Sequence, residues 1–108
     1  MNYSNLTDYQ INLRAAKEIY KKHISVQFEK CGKSSVKIKL GLDYFIMNWV
    51  DDWELAGQLM EDHKIQLDLE RVDAGLWQAS DHRYSEIASN KNPRRAVVER
   101  FLMMREGE

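Results

Sequence analysis

The apolar positions of the chain change period several times, and each change marks an element. Tyr9, Leu13, Ala16 and Tyr20 recur at helical steps, with Ile11, Ala15 and Ile19 widening the stripe, which predicts an amphipathic helix over about 7–22. Ser4, Asn5 and Thr7 precede it as capping residues. From Ile24 the period drops to two: Ile24, Val26 and Phe28 share one side, and Ser25, Gln27 and Glu29 the other, so a strand follows. After a turn through Gly32, Val36, Ile38 and Leu40 alternate with Lys37 and Lys39, which gives a hairpin with a basic outer face. Residues 43–47 read as a linker or a short edge strand.

The stretch Asn48–Ala79 holds all three tryptophans, whose large apolar areas make it the expected organising centre. Asn48 is placed to cap a helix over about 49–62, with Asp51 in the capping-box position. Trp53, Ala56, Leu59 or Met60, and His63 fall along one side of that helix. Ile65, Leu67 and Leu69 then alternate with Lys64, Gln66, Asp68 and Glu70, a strand pattern. Asp73-Ala74-Gly75 supplies a turn, and Leu76 to Ala79 pairs back. Residues 80–91 are polar and aperiodic, which predicts a surface loop with a turn of helix near Tyr84 to Ala88. Asn92 and Pro93 open a last helix, with Ala96, Val97, Phe101 and Met104 on its buried side, widened by Val98 and Leu102. The sum is an α+β fold: about three helices packed on a small antiparallel sheet of three to four strands, with hairpins near 24–40 and 64–79.

Length and composition narrow the class. A chain of 108 residues forms a single domain, 1–108. With 44% hydrophobic and 31% charged residues it is neither disordered nor a coiled coil. The longest apolar run, Tyr44 to Met47, is far short of a membrane span, and the start carries no signal-peptide pattern. A lone Cys31 excludes an internal disulfide. The net charge of −1 hides a gradient: +5 over residues 1–42, −8 over 43–90 and +2 over 91–108. Such a gradient either interleaves on a solvated surface or segregates to meet a charged partner.

Several motifs, taken together and in order, resemble one known family. They are the opening Tyr3-Ser4-Asn5-Leu6-Thr7-Asp8-Tyr9-Gln10-Ile11-Asn12, Asn48-x-x-Asp51-x-Trp53, Glu61-Asp62-His63-Lys64-Ile65, Gly75-Leu76-Trp77-Gln78-Ala79, and Asn92-Pro93-x-Arg95-Ala96 running to Phe101-Leu102-Met103-Met104. This pattern resembles the NinX-like family of small phage and prophage proteins. The segment 25–47 matches least, and Trp49 stands where the family is expected to favour proline. The resemblance implies a phage-encoded, non-structural accessory protein in the cytoplasm of a bacterial host. It carries over no activity to any residue.

The candidate chemistry is thin. His63 beside Glu61 and Asp62 reads either as an acid–base group or as a histidine favoured by the helix C-terminus, as does His23. His82 near Asp81 lacks the further ligands of a metal site, and Cys31 between Lys30 and Lys33 lacks an identified base. Gly32-Lys33-Ser34 ends like a phosphate loop without the glycines that precede one. Arg94 and Arg95 stand at a helix N-terminus, where cations oppose the macrodipole. Either acids such as Asp81 or Glu86 compensate them, or the terminus receives an anion or an acidic partner surface.

We therefore expect no enzyme, cofactor or metal, but a protein that binds and modulates a host protein, including the proteins of defence systems. Arg94, Arg95, Lys33, Lys37 and Lys39 are the candidate partner-binding residues. The alternative is a nucleic-acid-binding module using the basic hairpin, in which Lys30, Lys17 and Lys21 would join, together with Arg94 and Arg95. A small hydrolase is a third class, marked by a pocket with His82 and two carboxylates. Leu102, Met103 and Met104, added to Val97 and Val98, exceed one helix face and predict self-association as well.

Overall fold

A computed structural model describes residues 3–71, 75–81 and 87–106. A short 3-10 turn, Tyr3–Asn5, leads into α1 (Asp8–Ile19). Of the three candidate caps, Thr7 is the one that caps α1, and it does so as a capping box: its Oγ1 accepts from the Gln10 backbone N–H at 3.2 Å and its own N–H donates to Gln10 Oε1 at 2.8 Å. The helix stops short of the predicted Lys22. Tyr20 is its C-cap, and Ser25 takes a positive φ of 66°, so the chain turns away before β1. Ile24 is consequently 93% exposed and does not extend the strand.

β1 (Val26–Cys31), β2 (Ser35–Leu40) and β3 (Asp43–Met47) form an antiparallel sheet in that order, here sheet A. Gly32 and Gly41 hold the two tight turns with φ of 67° and 62°. Val36 and Ile38 point inward and are fully buried beneath α1, while Lys37 and Lys39 occupy the outer face. The 43–47 segment is thus an edge strand, the second of the two readings above.

The predicted cap at Asn48 is corrected by the structure. Asn48 Oδ1 accepts from Asn12 Nδ2 at 2.8 Å and its Nδ2 donates to Ser34 Oγ at 2.9 Å. Asn12 is fully buried, also donates to the Ser34 carbonyl, and accepts from the Val50 N–H at 3.2 Å. This amide cluster uses Asn48 to tie α1 to sheet A and lowers Trp49 and Val50 into the core, at 3% and 1% exposure. The second helix, α2 (Trp53–His63), starts later than predicted, with Asp52 as its N-cap, accepting from the Glu54 N–H at 2.8 Å. Trp53 is 49% exposed instead of buried.

A second antiparallel sheet, sheet B, runs β4 (Gln66–Arg71), β5 (Leu76–Ser80), β6 (Ile87–Asn90). The fold is α+β as expected, but with two three-stranded sheets. The loop predicted for 80–91 ends in β6, which is too short for its alternation to register. Tyr84 and the start of the predicted helical turn lie outside the described residues. Ala79 pairs with Ala88, and both are buried. These small side chains let the last helix, α3 (Pro93–Glu106), lie close on β5 and β6.

α3 is the true centre. Residues 95–102 are buried in unbroken succession, because the helix touches α1, α2 and both β5 and β6. The run is not apolar throughout: Arg95, Glu99 and Arg100 are buried with the apolar side chains, so the enclosure has to supply them with polar partners. The apolar surplus that predicted self-association is taken up mostly inside the chain: Val97, Val98 and Leu102 are buried, and Met103 and Met104 pack partly against the core.

Candidate interaction surface

The two candidate arginines separate in the structure. Asn92 Oδ1 accepts from the Arg94 and Arg95 N–H groups at 3.0 and 3.3 Å, as a helix N-cap does. The Arg95 side chain then turns inward. Its Nε donates to Glu99 Oε2 at 3.0 Å, its Nη1 to Asp8 Oδ1 at 2.7 Å, and its Nη2 to the carbonyls of Tyr3 and Leu6 at 2.9 and 2.6 Å. Compensation therefore explains Arg95, through Asp8 and Glu99; of the two acids expected as candidates, Asp81 is engaged elsewhere and Glu86 lies outside the described residues. Burial raises the Glu99 carboxyl above its ordinary value, against the opposing pull of Arg95. Asp81 serves another arginine: it accepts from Arg100 Nη2 at 2.8 Å in a fully buried pair. Arg94 lies nearer the surface. Its Nε donates to the Val50 carbonyl at 3.3 Å, and its guanidinium stacks 5.1 Å from the ring of half-exposed Trp53.

The hairpin lysines do not form one surface. Register places Lys37 and Lys39 on the outer face of sheet A, whereas Lys30 shares the side of Val36 and sits 5.3 Å from the Tyr9 ring on α1. Lys33 lines a polar hollow with Asp8, Asp51 and Asn92. Lys17 is on the opposite flank of α1, near Arg14 and Glu106. Lys39 is paired with Glu29 at 2.9 Å. The bond to Lys39 holds the Glu29 carboxyl below its ordinary value, yet both groups are solvated and the pair adds little stability. Lys37 packs its ammonium 4.5 Å from the Tyr44 ring. Sequence reasoning had no access to that aromatic partner, because it arrives from β3.

Around Tyr44 the surface is unusual. Tyr44, Phe45 and Ile46 are 59%, 45% and 54% exposed on a strand that pairs, among the described residues, only with β2. Natural edge strands are commonly protected by charge, proline or a bulge. β3 has a single charge, Asp43, at its first residue. Beside the end of β3 lies a groove of about 450 Å3 whose apolar lining includes Met47, Trp49, Leu55, Leu59 and Phe101. His63 closes α2 at this groove and tilts its ring against Phe101, 4.9 Å between centroids.

The remaining chemical candidates stay isolated. Cys31 is a partly exposed free thiol paired in register with Ser35. His82 lies outside the described residues. No group of three His, Cys, Asp or Glu side chains among the described residues is arranged to hold a metal ion. Among the described residues, no helix is long and apolar enough to cross a membrane.

Comparison with known proteins agrees with the motif pattern, and extends it across the hairpin that matched least. No curated protein and no solved structure matches the chain. The family described as Bacteriophage P22, NinX matches residues 2–105. With nearly its whole length covered, including both sheets and all three helices, the chain belongs to that bacteriophage NinX family.

Proposed function

We propose that this phage protein is a non-enzymatic accessory factor that works in the host cytoplasm by binding and modulating a host protein, with a protein of a bacterial defence system as one class of target. The observation that carries this reading is the β3 surface: Tyr44 and Ile46 are each more than half exposed and stand on the outer face beside Lys37 and Lys39 of the adjoining strand, while half-exposed Phe45 turns to the other face. Exposed aromatic and aliphatic side chains grouped beside charges are the composition of a protein-binding patch. The buried arginines and the amide cluster are occupied in holding the fold, whereas Tyr44 and Ile46 stand half exposed side by side on one strand.

Affinity capture from phage-infected host lysate tests the reading, with the intact chain compared with Ile46→Lys as bait and unchanged circular dichroism confirming the fold. A host protein retained by the intact chain and lost from the variant supports it. An identical set of retained proteins on both baits would remove it.

The nucleic-acid alternative has less to rest on, since the hairpin lysines are divided among separate surfaces and Arg95 is turned inward. Binding through clustered cations would fall steeply as salt rises.

A further inference from the structure

Resting on the host-protein reading, we propose the mode of capture: β3 accepts an extended segment of the partner as a fourth strand of sheet A, and an apolar side chain of that segment seats in the adjoining groove. Three observations specify the occupant. First, among the described residues β3 is paired on one side only, so alternate residues turn their backbone N–H and C=O groups outward. Those groups are matched most fully by another extended backbone.

Second, the strand leads directly into the groove. Met47 ends β3 and lines the groove, whose floor continues through Trp49, Leu59 and Phe101. Its volume of about 450 Å3 suits one or two large apolar side chains. An added strand places alternate side chains on the inner face of the sheet, beside Phe45 and Met47, and the others beside Tyr44 and Ile46. The occupant therefore carries apolar residues toward both faces, with one large anchor toward the groove.

Third, cations stand on both sides of β3. Lys37 and Lys39 lie across the outer face, and Lys21, Lys22 and Arg105 line the groove, where they outnumber the acids Glu18 and Asp62. Glu18 holds Lys21 at 3.3 Å and Glu29 holds Lys39 at 2.9 Å, while Lys22 and Lys37 form no ion pair among the described residues. The segment that fits is acidic at its flanks and apolar at its centre, since charge complementarity sets register and suppresses basic competitors.

Panning a displayed library of random peptides on the full-length chain tests this. The expected yield is peptides with alternating apolar residues and flanking Asp or Glu. Methylating backbone nitrogens of a selected peptide should abolish binding in one alternating phase and spare it in the other, as strand pairing requires. Gln58→Trp, an exposed change at the groove wall, should weaken binding about tenfold, the scale of one hot-spot contact.

Failure to enrich peptides, or binding indifferent to both methylation phases and to Gln58→Trp, would overturn the mode. A host protein lost with Ile46→Lys but unaffected by Gln58→Trp and by competing peptide would overturn it too, and leave the host-protein reading standing. Self-association of the chain abolished by Ile46→Lys would make the occupant a second copy and would equally overturn it.

Discussion

The N-terminal part of α3, with Arg94, Arg95 and Arg100, and the outer face of sheet A both carry cations, yet the two regions use their charges in opposite ways. Arg95 and Arg100 are buried and bonded to Glu99, Asp8 and Asp81. Lys37 and Lys39 are solvated; one rests on Tyr44 and the other pairs with Glu29. A buried guanidinium is strongly coupled to its carboxylate because water is excluded, whereas a solvated ammonium is screened. The same formal charge is therefore structural in one place and available for contact in the other. Only packing distinguishes them.

Stability measurements can break this contrast. The largest effect is expected for Arg100→Ala, which removes the guanidinium from a fully buried ion pair with Asp81; urea denaturation should show a loss of about 3–5 kcal/mol. Arg95→Ala removes the hydrogen bonds to Asp8, Glu99 and two carbonyls and should cost about 3 kcal/mol. Retention of full stability in either variant would place that arginine among the surface charges. By contrast, Lys39→Ala should change stability by less than about 0.5 kcal/mol, since its ion pair is exposed.

The smallest effect depends on pH. Burial raises the folded-state value of Glu99 above its ordinary 4.5, so the folded protein holds that proton more tightly than the unfolded chain. The resulting stabilisation is fully present below about pH 4.5 and is lost as pH rises through the folded value. Relative to Glu99→Gln, the natural protein should gain thermal stability on acidification across that window. A constant difference between the two melting curves would mean that Glu99 is not tuned by burial.

Much of the fold was legible because local signals and tertiary structure agree. Thr7 as a cap, the alternation of Val36 and Ile38 with lysine, and Asn92-Pro93 each act where the sequence places them. What stayed hidden depends on contacts distant in sequence. Asn48 looks like a cap but bonds Asn12 and Ser34. Ile87 to Asn90 has too few residues to show a period and becomes β6 by pairing with β5. The tryptophans suggested a core around α2, although of Trp49 and Trp53 only Trp49 is buried.

The candidate site was legible only in part. Lys37 and Lys39 were singled out correctly as outer-face residues, while the groove joins Met47 to Phe101 across a separation no local pattern spans. Arg95 could not be separated from Arg94 by sequence, because both occupy the first turn of the same helix. Tyr44 and Ile46, the exposed residues between the lysines and the groove, gave only an edge-strand signal.

Hydrogen–deuterium exchange of the chain with and without its captured host partner tests the central claim most directly. The amides of β3 should become protected on binding, while those of α3, the buried core helix, should exchange slowly in both states. Protection elsewhere with β3 unchanged would contradict the assignment of the open edge of sheet A as the working surface.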